Sequence, residues 1–159
     1  IDTIKEVEKL NKPIFGICLG MQIIMQKSYE FGEHEGLGFV NGEVVRFENS
    51  MDDDTGRRLK VPQVGWNNIY KIKNQKKSWQ NTILHAIKDK EFMYFVHSYY
   101  VKLKNNESAL SHTKYGQTEF CSSFQEKNIF ACQFHPERSS IEGLKIYKNF
   151  ANIIKKGVK

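Results

Sequence analysis

No stretch of the chain strings together the roughly 18 apolar residues that a bilayer-spanning helix needs. The opening Ile1-Asp2-Thr3-Ile4-Lys5 has neither the basic-then-apolar order nor the cleavage pattern of a secretory leader. Both absences point to the cytoplasm and away from a membrane. Cysteine is scarce: three residues, Cys18, Cys121 and Cys132, without regular spacing. That excludes a disulfide framework and fits a reducing compartment, with Cys121 and Cys132 reading as buried strand thiols. Internal repeats, linkers and low-complexity stretches are also missing, so nothing divides residues 1–159 into more than one domain.

What is present suits a packed core, with 40% hydrophobic and 13% aromatic residues. The net charge of +6 raises the question of a nucleic acid, yet the lysines are spread, with short groups only at residues 71–77 and 155–159. No nucleic-acid-binding motif accompanies them, so the expectation is a solvated basic surface suited to an acidic partner or a phosphorylated metabolite. Ile1, Ile4, Val7 and Leu10 recur at helical spacing, which predicts an amphipathic helix over residues 1–10. A strand before it would be the natural start of an α/β unit, and the expectation is a domain incomplete at its N-terminus.

The centre of the sequence's chemistry is Gly16-Ile17-Cys18-Leu19-Gly20-Met21-Gln22. A short apolar run at residues 14–17 predicts a strand, and helix-forming residues resume at 21–26, so Cys18 falls on a sharp strand-to-helix turn flanked by two glycines. The first amides of a following helix are expected to lower the pKa of such a thiol. A buried apolar cysteine is the plainer reading of an isolated residue; the elbow favours a nucleophile.

Further along, Gly32, Gly36 and Gly38 mark a loop holding Glu30, Glu33, His34 and Glu35, whose spacing is not that of a metal-ligand set. Asn41-Gly42 between residues 39–40 and 44–47 reads as a hairpin turn. Asp52-Asp53-Asp54 lacks the alternating ligands of a calcium loop and reads as an exposed acidic loop. Trp66 follows Gly65 in a Pro- and Gly-punctuated loop, strand resumes at 69–72, and a short helix is expected over 79–87. Residues 91–101 are nearly continuously apolar and aromatic, predicting a strand buried on both faces with His97 and Ser98 emerging at its ligand-binding end. Residues 109–115, 118–125 and 129–134 form a meander. A final helix over 140–154, ended by Gly157, is expected to bury Ile141, Leu144, Tyr147, Phe150, Ala151 and Ile154.

His135-Pro136-Glu137 is the second group with chemistry in it. Residues two apart on an extended chain share a side, and Pro136 biases His135 toward extension. The carboxylate can then fix the tautomer of the imidazole, leaving the far nitrogen to exchange a proton with a nucleophile. A surface ion pair is the competing reading.

The elbow and His135-Pro136-Glu137 together resemble the class I (triad) glutamine amidotransferases, over almost the whole chain. The segments 36–47, 62–67 and 94–99 are similar to the subfamily of glutaminase subunits that serve imidazole glycerol phosphate synthases. The resemblance implies an α/β fold with an open, largely parallel sheet flanked by helices, an antiparallel strand series, and first strands not contained in residues 1–159. It implies that Cys18 attacks the side-chain amide of L-glutamine, that His135 shuttles protons and that Glu137 orients it. Leu19 would give an oxyanion donor beside Gly20, and Gln22, Ser98 and Tyr99 would hold the amino-acid end of the substrate. A second oxyanion donor would lie in a glycine-rich loop preceding residue 1. No cofactor and no metal is implied. The partner implied is a (β/α)8-barrel cyclase subunit of histidine biosynthesis, forming a heterodimer, with Trp66 near its interface. Three alternatives stay open on the residues alone: a glutaminase feeding a sugar amidotransferase in surface-polysaccharide biosynthesis, a non-catalytic subunit that stabilises a partner, and a cysteine peptidase-like hydrolase.

Overall fold

The computed structural model describes residues 1–48, 52–72 and 78–157. The elements run α1 (Asp2–Lys9), β1 (Ile14–Ile17), α2 (Leu19–Ile23), β2 (Met25–Ser28), β3 (His34–Glu35), β4 (Val40–Arg46), β5 (Gln63–Lys71), β6 (Glu91–His97), β7 (Tyr99–Leu103), β8 (Ala109–Tyr115), β9 (Thr118–Glu126), β10 (Ile129–Cys132) and α3 (Ser140–Lys156), with 3-10 turns at Asn106–Ser108 and Pro136–Arg138. The strands join in the order β3-β2-β4-β7-β9-β8-β5-β6, with β10 on β9 and β1 on β10. The α/β expectation holds, but the sheet is mixed rather than largely parallel. Among the described residues only β1 with β10 and β2 with β4 run parallel, because β8, β9 and β10 are joined by tight turns that force antiparallel pairing, as the meander predicted.

Strand alternation distributes the apolar residues to two cores. Phe130 and Cys132 of β10 pack with Phe95, Phe120, Phe134 and Ile146 on one face, while Ile129 and Ala131 pack with Met21, Met25, Val44 and Phe124 on the other. β10 is therefore buried on both sides, and the three residues that follow it emerge from a rigid platform. Cys121 and Cys132 are fully enclosed, as expected of strand thiols.

Tertiary context overrides several local signals. Asn41-Gly42 is no hairpin: β4 runs straight through it and pairs with β7, Gly42 opposite Leu103. A Cβ at Gly42 would lie 2.7 Å from the Lys102 carbonyl oxygen and 2.9 Å from Met25 Sδ, so the glycine serves close approach instead of a turn. The helix after Cys18 is shorter than expected, ending at Ile23 before β2 begins. Trp66 lies within β5 and not in a loop. Residues 79–87 form successive turns in place of a helix, since Asn81 and Ala86 adopt positive φ and Thr82 Oγ1 captures the Leu84 amide.

Residues 91–101 are two strands that change neighbours at Ser98: β6 pairs with β5, β7 with β4 and β9. β6 closes one end of the strand order and packs on one face only, burying Met93, Phe95 and His97 and turning Phe92 and Val96 outward. Asp53 closes the acidic loop on itself by accepting from the amides of Thr55 and Arg57, and Asp54 pairs with Lys114. The basic group at 71–77 lies mostly outside the described residues, as does the end of the group at 155–159. No helix among the described residues is long and apolar enough to cross a membrane.

Helix α3 departs from the face read from its sequence. Its buried residues are Gly143 and Ile146, with Phe150 and Ile153 packed beside them, whereas Ile141, Leu144 and Ile154 are exposed. The helix is set by β10, through Phe130 with its ring 5.3 Å from Phe150, and by Phe15, whose ring lies tilted 5.0 Å from that of Phe150, so one of two apolar stripes was available to bury. Ile146 is 0% and Leu144 58% exposed. Ile146→Ala should therefore destabilise by about 2–4 kcal/mol in urea denaturation while Leu144→Ala stays within about 0.5 kcal/mol.

Candidate active site

Cys18 sits between β1 and α2 with φ 50° and ψ −107°, outside the regions that non-glycine residues normally occupy. Its amide donates to the Cys132 carbonyl at 2.8 Å, and its carbonyl accepts from Met21 and Gln22 at 3.0 and 3.2 Å, so both ends of the strained residue are tied down. Gly16 makes the turn possible. A Cβ there would fall 2.6 Å from Ile24 Cδ1 and 2.7 Å from the Gly20 backbone, which would push α2 off β1. At Gly20 an added Cβ would meet nothing within 4 Å, leaving that side of the elbow open.

The thiol is half-buried, 3.6 Å from Gln133 Nε2 and 3.9 Å from the Val96 carbonyl. Its pKa is raised, contrary to the lowering expected from the helix start. Burial is the main cause; hydrogen bonds from the Leu19 amide and Gln133 pull it down less, and the charges of Glu137 and Glu30 push it up further. A helix of one and a half turns carries little dipole.

His135 and Glu137 are joined as the sequence predicts, Nδ1 to Oε1 at 2.6 Å. Burial works to raise the Glu137 pKa, but its own backbone amide, the His135 hydrogen bond and the His135 charge outweigh that, and the carboxyl is held below its usual range. An ionised Glu137 accepts from Nδ1–H and leaves Nε2 with its lone pair; that atom is buried and has no hydrogen-bond partner among the described residues. The turn carrying the pair is anchored to β6. The His135 amide donates to the Tyr94 carbonyl at 2.8 Å, and Ser139 Oγ donates to the His135 carbonyl at 2.6 Å while accepting from the Tyr94 amide at 2.9 Å.

Of the residues expected to hold substrate, Gln22 and Tyr99 meet, Gln22 Nε2 donating to the Tyr99 carbonyl at 2.9 Å and to Gln133 Oε1 at 3.1 Å. The Ser98 carbonyl accepts from the Phe47 amide at 3.0 Å, at the break between β6 and β7. A cleft of about 300 Å³ is lined by Leu19, Gln22, Ile23 and Glu30 beside Ile1 and by Ile4 of α1. Trp66 is not in this cleft; it stands on the outward face of β5, 52% exposed, its ring edge-on to Tyr94 at 6.0 Å. Sequence reasoning missed Gln133, Ser139 and Glu30. Gln133 carried a signal, a lone carboxamide inside the apolar run 129–134. Among the described residues no group of three or more His, Cys, Asp or Glu is arranged to hold a metal.

These features define a cysteine-centred elbow and a histidine–carboxylate pair that follow the ends of two adjacent parallel strands of an α/β sheet. The family model for glutamine amidotransferase class-I matches residues 1–154, and the chain belongs to that family. Among individual proteins it is 44% identical over 154 residues to imidazole glycerol phosphate synthase subunit HisH 1 of Campylobacter jejuni, covering 96% of this chain and 70% of that protein. It is 41% identical over 150 residues to the HisH subunit of Sulfurimonas denitrificans, covering 94% of this chain and 67% of that one. The chain thus spans about two thirds of the length of these curated relatives. The crystal structure of a glutamine amidotransferase from Thermotoga maritima superposes with a TM-score of 0.55 at 19% identity, over 98% of this chain and 54% of that one, a likeness of fold.

His97 does not emerge toward a ligand as its sequence position suggests. It is buried among Phe47, Phe95 and Phe120, its Nδ1 donating to the Tyr99 carbonyl at 2.8 Å and its Nε2 facing Gln63 at 3.1 Å. Burial pulls its pKa from 6.5 to about 4, with the Tyr99 hydrogen bond opposing. Above pH 6.5 the ring is neutral folded or unfolded; between 6.5 and 4 the unfolded chain takes up a proton that the folded one refuses, and stability falls as pH falls. The loss should total about 3 kcal/mol, read as a drop in urea midpoint from pH 7 to pH 4.5 that is smaller in His97→Gln.

Proposed function

We propose that this chain is the glutaminase part of an imidazole glycerol phosphate synthase, hydrolysing L-glutamine to glutamate and ammonia and passing the ammonia to a cyclase subunit. The observation that carries the reading is the strained Cys18 elbow and the His135–Glu137 pair following the ends of the paired strands β1 and β10, with His135 Nε2 buried and lacking a hydrogen-bond partner among the described residues. Kinship with the HisH subunits supports this acceptor over sugar amidation.

In this mechanism the raised thiol pKa matters, because the nucleophile is not a standing thiolate. Cys18 Sγ attacks the side-chain amide carbon of glutamine as its proton passes to His135 Nε2. The carbonyl oxygen becomes an oxyanion facing the Leu19 amide. His135 returns the proton to the departing nitrogen, ammonia leaves, and a glutamyl thioester remains. His135 then takes a proton from water, the hydroxide displaces Sγ, and the thiol is regenerated with glutamate.

The substrate's other end is a zwitterion. Both N–H groups of Gln22 are spent on Tyr99 and Gln133, so Gln22 presents its oxygen, an acceptor for the α-ammonium. Glu30 adds negative charge in the same cleft. Cys18→Ser should keep its fold and lose glutamine-dependent ammonia release by about 10³-fold or more, measured with the cyclase partner and its substrate present. His135→Ala should cost nearly as much and Glu137→Gln less. Near-normal turnover in Cys18→Ser would overturn the reading.

The cyclase docks, in this proposal, on the outward face of the β5–β6 ribbon. Val64, Trp66, Phe92 and Val96 are exposed there, and the Arg138 guanidinium stacks 4.7 Å from the Tyr94 ring at the margin. An apolar patch with aromatic residues and a bordering arginine is what a protein interface requires. The same ribbon touches the site, through the Val96 carbonyl at Cys18 and the Tyr94 carbonyl at His135. Trp66→Ala should weaken association with a (β/α)8-barrel cyclase by about 2 kcal/mol, roughly 30-fold in Kd by calorimetry, with the free subunit's melting unchanged. A destabilised subunit with unchanged affinity would make Trp66 a structural residue only.

A further inference from the structure

Gln133 lies wholly inside the protein between Cys132 and Phe134, where a carboxamide must find partners for both of its ends. Its partners fix which way it points. The Tyr99 carbonyl can only accept, so the Gln22 atom 2.9 Å from it is Nε2. The second hydrogen of that nitrogen faces Gln133 at 3.1 Å, and the facing atom is therefore Oε1. Gln133 is left with Nε2 toward Cys18, 3.6 Å from the sulfur, a length that suits the larger radius of a sulfur acceptor.

We propose that Gln133 is a positioning residue for the nucleophile: its carboxamide, held by Gln22 and through it by the Tyr99 carbonyl, donates to Cys18 Sγ and stabilises the negative charge that grows there. The inference rests on the reading of Cys18 as nucleophile. It answers a problem posed by the surroundings of the sulfur. Burial and the carboxylates of Glu137 and Glu30 all disfavour a thiolate. The neighbouring Cys132 thiol is itself held well up by burial and stays neutral. Leu19 and Gln133 supply the hydrogen bonds that act the other way. A residue that merely filled space or satisfied Gln22 would leave the acidity of Cys18 unchanged.

The test reads that acidity without glutamine. Cys18 is alkylated with iodoacetamide across a pH range in the unsubstituted chain, in Gln133→Met, which keeps the length and removes the donor, and in Gln133→Asn, which withdraws it. Cys121 and Cys132 are buried and do not compete. The midpoint should rise by about one pH unit in both variants, with alkylation below it slowed about tenfold. An unchanged midpoint in a variant whose circular dichroism and melting match the unsubstituted chain overturns the proposal. If neither variant folds, the unsubstituted chain decides. In protein labelled with 15N-glutamine, one side-chain amide signal should follow the thiol titration and cease to do so in Cys18→Ser. No such signal overturns the proposal. Either negative outcome leaves the proposed function standing, since that depends on loss of glutamine hydrolysis in Cys18→Ser.

Discussion

The parallel pairing of β1 with β10 is the constraint on which the site depends. Its register sets Ile17 beside Cys132, and the Cys18 amide continues the ladder onto the Cys132 carbonyl at 2.8 Å. Two segments more than a hundred residues apart therefore end at the same level, one delivering Cys18 and the other Gln133 and His135. A slip by one residue would turn β10's alternating side chains over between the two cores. Phe130 and Cys132 on one side and Ile129 and Ala131 on the other leave no tolerance for that. The apolar packing of β10 thus does the aligning, and the polar groups beyond it inherit their positions.

Strain and burial at the elbow are linked. A residue at φ 50° and ψ −107° holds that geometry only if its surroundings fix it, and here the fixing comes from close approach of α2 over Gly16. Burial at the elbow also removes water from the sulfur and raises its pKa. An elbow of this type exposes a nucleophile sterically while making it electrostatically reluctant. A neighbouring base and hydrogen-bond donors are then required for the chemistry, and a low resting pKa is not.

What was legible in the sequence is what local chemistry determines. The elbow shows because glycines flank a cysteine between a strand and a helix, and the His135–Glu137 pair because proline fixes an extended step. The meander shows because its turns are short. The failures share a cause in partners distant in sequence. Asn41-Gly42 has the composition of a turn, but Lys102 lies across the strand and needs the space. Helix α3 has two apolar stripes, and only the position of Phe15 and β10 selects Ile146 over Leu144. The run 91–101 is nearly continuously apolar for two different reasons: inward residues of β6 build the core, while Phe92 and Val96 stay on the outside. A burial pattern cannot distinguish these without knowing that β6 closes one end of the strand order.

That last ambiguity has a functional side. A strand with one face against solvent has no reason of its own to carry Phe92, Tyr94 and Val96 outward, opposite Asn68, Trp66 and Val64 of β5. The cyclase docking proposed above supplies the reason, and the backbone of β6 gives that docking a consequence. Its carbonyls at Tyr94 and Val96 reach His135 and Cys18, and the Tyr94 amide holds Ser139, which holds the turn of the His135–Glu137 pair. Arg138, one residue beyond Glu137, lies over the Tyr94 ring on the outer side. In the proposed docking, a partner on the aromatic face bears on the strand whose backbone carbonyls lie beside Cys18 and bond to the His135 amide. In that proposal, coupling between an occupied partner and glutamine hydrolysis needs no longer path than this one strand, its outward side chains toward the partner and its backbone toward the site.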